Sequence, residues 1–242
     1  MKTVFVADAH LKGEGDPHQA SLVGFLDSID SGNLAILGDL FDFWTGSNSV
    51  VERAYRPVLE SLLRLRKRGV GIIYFEGNHD FRMGPFFTND LGAKVCPGME
   101  EISMDGKRFL AGHGDTVSMT TGYRLWRAYL RSPLFRAMAV AATPGGVWAI
   151  AGMLSRKSRG NALRYGSSGN ITESVLRKFA AEKIAGGFDA VVLGHSHEPG
   201  VHAIESGGRK GVYANPGSFA SRGTYLVYEK GVFSVKSWKA SC

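Results

Sequence analysis

The sequence predicts an α/β fold in which two sheets pack face to face with helices on both outer surfaces, an αββα sandwich carrying a helical cap insertion. Three observations predict it. Short apolar strands alternate with helices over the first 75 residues, strands resume after residue 190 and continue through hairpins, and a long helical stretch separates these halves. The 242 residues fit a single domain, 1–242, with the insertion at about 117–185, and suffice to bury a real core.

Thr3 to Ala7 is a short apolar run with β-branched residues, read as a buried strand. Asp16-Pro17 supplies an N-cap and a first helical position, opening a helix through about Ile29. Leu34 to Leu37 is a second buried strand. Val50 to Arg68 reads as one helix, apolar at Val51, Tyr55, Val58, Leu59, Leu62 and Leu63, with Gly69 placed to end it. Val70 to Phe75 is a third strand. This order implies right-handed crossovers and a largely parallel sheet. Strands at Met99–Ser103 and Lys107–Ala111 are joined by Asp105-Gly106, a good hairpin signal. Thr120 to Ala185 reads as helical, interrupted at Ser132-Pro133 and Thr143-Pro144-Gly145-Gly146. Ala190–Leu193 returns to strand, followed by hairpins turning near Gly207-Gly208 and Lys230-Gly231.

Cys96 and Cys242 form no CxxC pair and no disulfide framework, and the apolar start is too short for a signal peptide. No stretch approaches the roughly 20 apolar residues that span a bilayer. A cytoplasmic location is the expectation. The net charge of +7 is uneven: residues 117–178 hold ten Lys or Arg against one acid, Glu173. Such an excess suits nucleic acid, anionic lipid or a phosphorylated substrate. The segment lacks the interleaved aromatics of a groove that tracks a nucleic-acid strand, so no nucleic-acid partner is expected.

Five motifs follow apolar strands directly: Asp8-Ala-His10, Gly38-Asp39-Leu-Phe-Asp42, Gly77-Asn78-His79-Asp80, Gly112-His113-Gly-Asp115 and Gly194-His195-Ser-His197. Each alone is weak, since a lone Gly-Asp is more often a turn. Together they place side chains beyond strand C-termini, where ligands gather in open α/β sheets. Asp8 and His10, like His195 and His197, are two apart, so an extended chain would point both side chains one way. Imidazole nitrogens with carboxylate and amide oxygens suit Mn2+, Fe or Zn2+, and the absence of cysteine from these motifs disfavours a thiolate site. Asp8, His10, Asp39, Asn78, His113, His195 and His197 exceed the needs of one ion, which points to a pair able to clamp an in-line displacement at phosphorus.

The series DxH, GDxxD, GNHD, GHGD and GHSH resembles the calcineurin-like metallophosphoesterase superfamily from Asp8 to His197. The resemblance implies two divalent metal ions, one held by Asp8, His10, Asp39 and His197, the other by Asp39, Asn78, His113 and His195, with Asp39 as the bridge. It implies that His79 contacts phosphate as a general acid and that Asp42 orients it. Read alone, Asp42 also fits a helix N-cap or a loop hydrogen bond.

Phe5–Leu11, Leu37–Trp44, Gly77–Phe81, and His113–Thr116 followed by Tyr123–Arg127 bear a closer resemblance to the UDP-2,3-diacylglucosamine hydrolases of lipid A synthesis. That family implies water attack on a nucleotide-activated diacyl sugar lipid, at the cytoplasmic face of the inner membrane. Substrate contacts would come from Asn78, His79, Tyr123, Arg156, Arg159, Asn161 and His195. Leu125–Leu130, Leu134–Val140 and Val147–Leu154 mix apolar residues with arginines, as an acyl chamber or interfacial segment requires. Plain helix packing is the other reading of these runs. The chain departs from the family at His79, where the best-known branch has arginine, at Thr120-Thr121 in place of an acidic pair, and around Asn161 to Asn170. Asn215-Pro-Gly-Ser218 resembles small phosphodiesterases of the superfamily. A phosphodiesterase or phosphatase for a soluble nucleotide or phosphoprotein, or a non-catalytic scaffold, are the competing expectations.

Overall fold

The computed structural model describes residues 2–46, 48–135, 137, 146 and 171–239. Its first strand, β1 (Thr3–Val6), shows how one sheet serves two layers. Successive side chains of a strand point to opposite faces. Val4 and Val6 join a core with Leu22, Phe25 and Leu26 of α1 (Pro17–Asp27) and with Val58, Leu62 and Leu65 of α3 (Arg56–Lys67). Phe5 faces the other way, into a core with Phe109, Val192 and Ala214 from the second sheet.

The first sheet runs β13 (Val232–Ser237), β12 (Thr224–Glu229), β1, β2 (Asn33–Ile36), β4 (Gly71–Phe75), β6 (Lys94–Cys96). From β1 to β6 the neighbours are parallel, as the strand–helix alternation predicts, and β12 joins β1 antiparallel. The second sheet runs β10 (Gly200–Ser206), β11 (Arg209–Asn215), β9 (Ala190–Leu193), β8 (Lys107–Gly112), β7 (Glu100–Met104). α5 (Glu173–Ala185) covers its outer face, seating Leu176, Ala180 and Ile184 on Leu110, Val191, Leu193 and Tyr213. The result is the αββα order expected. α5 ends the segment read as an insertion; α4 (Thr121–Leu130) begins it, with Thr120 accepting from the Tyr123 amide at 3.2 Å as N-cap.

Local chemistry explains most boundaries. Asp16 caps α1 by accepting from the His18 amide at 2.9 Å, and Pro17 follows as predicted. Asp105-Gly106 (φ 50° and 74°) and Lys230-Gly231 (φ 52° and 83°) adopt the left-handed pairs of two-residue hairpin loops. The single helix read from Val50 to Arg68 is corrected: α2 (Ser49–Ala54) ends and α3 starts anew after Tyr55, which leaves helical geometry at φ −106°, ψ 10°. Pro57 is the cause, because it has no amide hydrogen to return to the Arg53 carbonyl. Short pieces without a readable pattern escaped the sequence, including β6 and the parallel pair β3 (Trp44–Thr45) and β5 (Asp80–Phe81).

Candidate metal centre

Five motif loops leave the C-terminal ends of β1, β2, β4, β8 and β9 and meet along one edge of the sandwich. Burial of both sheets forces this meeting, since the parallel strands all end on that side. Gly77 permits the closest approach: a Cβ there would lie 2.1 Å from Asp39 Oδ1. The extended-chain account of the paired motifs is corrected. Asp8 (φ 53°), His10 (φ 42°), Asp39 (φ 52°), His195 (φ 69°) and His197 (φ 61°) all adopt left-handed backbone. Each such residue costs of order 1–3 kcal/mol and persists where surrounding contacts over-determine it.

The side chains nonetheless converge. Asp8 Oδ1 lies 3.3 Å from His197 Nε2 and 3.8 Å from His10 Nε2. Asp39 Oδ2 lies 4.0 Å from His10 Nε2 and 3.4 Å from His113 Nε2, between the two groups. His113 donates Nδ1–H to the Leu37 carbonyl at 2.8 Å, which turns Nε2 inward to Asn78 Oδ1 at 3.0 Å and His195 Nδ1 at 3.0 Å. All seven residues singled out by sequence are therefore in one cluster.

The donor set fits divalent cations. A carboxylate oxygen, an amide oxygen and a second imidazole nitrogen crowd on His113 Nε2, more lone pairs than one proton can serve. Asp8 Oδ1 and His195 Nε2 are buried without a hydrogen-bond partner among the described residues, a costly condition that a cation relieves. Burial opposes charge on Asp39, but His113, His79 and His10 outweigh it and hold the carboxyl well below its usual range. Burial likewise opposes charge on His113, yet Asp39 and Asp8 raise it well above the ordinary imidazole value. His195, desolvated and beside His113, is pushed down to about 4 and stands as an uncharged Lewis base.

His79 stands at the rim, its ring edge-on to His10 at 5.1 Å. Its Nδ1 lies 3.0 Å from the Asp42 main-chain oxygen and 3.6 Å from the Asp42 carboxylate. The Asp42 main-chain carbonyl thus accepts from Nδ1, with the Asp42 carboxylate close by. Tyr123, read as a substrate contact, donates its hydroxyl to Asp115 at 2.8 Å. Arg156, Arg159 and Asn161 lie outside the described residues, as does the apolar run Val147–Leu154.

A model of calcineurin-like phosphoesterases matches residues 1–199. The chain belongs to the calcineurin-like phosphoesterase family. This phosphoesterase is a metal-dependent hydrolase, and divalent cations are its cofactors. It is 29% identical over 238 residues to a protein of Xanthomonas campestris pv. campestris named UDP-2,3-diacylglucosamine hydrolase, covering 93% of this chain and 94% of the relative. It is also 29% identical over 212 residues to a protein of that name from Yersinia pseudotuberculosis serotype O:1b, covering 85% of each. A solved structure of a novel archaeal phosphodiesterase superposes with a TM-score of 0.52 at 13% identity, covering 98% of this chain and 99% of that one, and shows the shared fold.

Several residues that build the phosphoesterase site went unassigned in the sequence. Buried Asp80 accepts from the amides of Asp39, Leu40, Phe41 and Gly77 and from Tyr74 Oη, joining the second and third motif loops. Burial, with Asp39 nearby, pushes its carboxyl up to about 7. Asp115 anchors α4 through Tyr123 and, at 3.4 Å, Arg127. Ser218 donates to the Asp8 carbonyl at 2.9 Å. Asp80 and Asp115 were visible as the last letters of their motifs; nothing in the sequence pattern marked what they hold.

Proposed function

We propose that this phosphoesterase hydrolyses the pyrophosphate bond of UDP-2,3-diacylglucosamine, giving UMP and 2,3-diacylglucosamine 1-phosphate, a step of lipid A synthesis. The observation that carries this reading is likeness to relatives of that name over 93% of the chain, joined to a cluster with donors enough for two cations. Asp8, His10, Asp39 and His197 would hold one ion; Asp39, Asn78, His113 and His195 would hold the other. Mn2+ is the cation proposed, out of the Mn2+, Fe and Zn2+ that a set of oxygen and imidazole nitrogen donors suits. When bound, the ions supply Lewis-acid stabilisation of the phosphoryl group and acidify water at the site.

The side chains do the remaining work. Asn78, His195 and His79 contact the phosphates, and His79, with Nδ1 held by Asp42, delivers a proton from Nε2 to the leaving oxygen. Tyr123, Arg156, Arg159 and Asn161 bind the rest of the substrate. The insertion at about 117–185 receives the acyl chains, with α5 fastening it to the sandwich. Leu125 and Leu134, within that segment and 67% and 64% exposed, offer apolar surface and support peripheral attachment to the cytoplasmic face of the inner membrane. No described helix is long and apolar enough to cross a membrane.

The test compares Mn2+-loaded protein on UDP-2,3-diacylglucosamine, its deacylated counterpart and soluble phosphodiesters. Acyl chains held in the transition state are expected to raise kcat/KM by about tenfold or more. Equal turnover of the deacylated substrate would sink the lipid reading and leave a soluble phosphoester as the target.

A further inference from the structure

The loop carrying His195 and His197 needs bracing that its own sequence does not provide. Both histidines have left-handed backbone, and between them the Ser196 amide closes a tight turn on the Gly194 carbonyl at 2.8 Å. A strained loop stays in place only if neighbours fix it. On the β1 side, the His195 amide donates to Asp8 Oδ2 at 3.0 Å. On the opposite side, Asn215 Nδ2 lies 3.2 Å from the Gly194 carbonyl and 2.9 Å from Ser196 Oγ.

The remaining brace is Glu173. Its Oε2 accepts from Ser196 Oγ at 2.7 Å and from Tyr213 Oη at 3.0 Å. Its Oε1 is buried without a hydrogen-bond partner among the described residues, with His202 Nε2 at 3.9 Å. Glu173 stands in the first turn of α5, where an acid ordinarily serves the helix dipole. Here it turns instead toward the loop, although Thr172 makes no side-chain cap bond of its own. It is also the one acid among residues 117–178.

We infer that Glu173 is a positioning residue for the metal-binding loop: through Ser196 it fixes His195 and His197 and ties them to the start of α5, the helix that ends the segment read as an insertion. This rests on the metal reading above but not on the identity of the substrate. A carboxylate acceptor makes a charge-assisted bond stronger than a neutral pair, and outer partners of metal ligands typically govern affinity by about 10- to 100-fold.

The experiment titrates metal-free protein with Mn2+ calorimetrically for wild type, Glu173→Ala, Glu173→Gln, Ser196→Ala and the Glu173→Ala/Ser196→Ala double variant, with thermal melts alongside. Glu173→Ala and Ser196→Ala are each expected to weaken Mn2+ affinity about tenfold. The double variant should be no worse than either single one, since both remove the same link. Glu173→Gln keeps an acceptor oxygen and should recover most of the loss. The inference is overturned if Glu173→Ala binds Mn2+ as tightly as wild type, or if only its melting temperature changes, which is the result a helix-dipole role gives. Should Glu173→Ala not fold, Glu173→Gln and Ser196→Ala decide: wild-type affinity in Ser196→Ala overturns the link. Wild type that takes up no Mn2+ would defeat the metal reading itself, and turnover restricted to soluble substrates would defeat only the lipid assignment.

Discussion

Replacing Asp80 by alanine tests whether one buried carboxyl holds two of the motif loops together. Its two oxygens accept from four backbone amides and the Tyr74 hydroxyl at 2.6 to 3.2 Å, with no solvent exposure. Each buried donor left without an acceptor costs about 1–3 kcal/mol. Five donors at the low end give about 5 kcal/mol, and water entering the space recovers part, so a loss of about 3–5 kcal/mol is expected. The loss is of acceptor oxygens, so it holds on either side of the carboxyl's raised pKa. Asp80→Asn keeps one oxygen and should fall between alanine and wild type. Urea denaturation followed by circular dichroism measures the change, and metal analysis after dialysis against Mn2+ reports whether Asp39 still sits correctly. An alanine variant within about 1 kcal/mol of wild type, with full Mn2+ content, would refute this account of the hub.

His79→Ala should retain its Mn2+ by elemental analysis yet lose turnover by about 100-fold or more, as expected for a removed general acid; joint loss of metal and activity would move His79 into the ligand set. Mn2+ uptake should release protons. His113 and His197 have raised values, because nearby carboxylates outweigh their burial, so both remain protonated to higher pH than free imidazole and a cation must displace those protons. Affinity therefore rises with pH through that range, and calorimetric binding enthalpy should vary with the ionisation enthalpy of the buffer. An enthalpy independent of the buffer would contradict it.

Much of the fold was legible because its causes are local. The unbroken apolar run along Thr3–Val6, buried throughout, the Asp16-Pro17 start and the Asp-Gly and Lys-Gly turns each act within a few residues, so the pattern carries them. The long helix failed at Tyr55 because the spacing of apolar residues says where a helical face lies and not whether Pro57 breaks its hydrogen bonding. β6 and the pair β3 and β5 are too short to show a period at all.

By itself the sequence determined which side chains could reach the edge of the sandwich, since each motif must follow the strand that precedes it. It also determined their chemistry, a set of carboxylate, amide and imidazole donors without thiolate. Only the tertiary structure decided how they meet. Asp8, His10, Asp39, His195 and His197 turn inward on left-handed backbone, a conformation that costs free energy locally and exists because distant partners impose it. Those partners lie 41 residues away for Asp80 and the Asp39 amide, and 23 for Glu173 and Ser196. Bonds across such separations form only once both sheets have packed, which is why no local pattern could announce them.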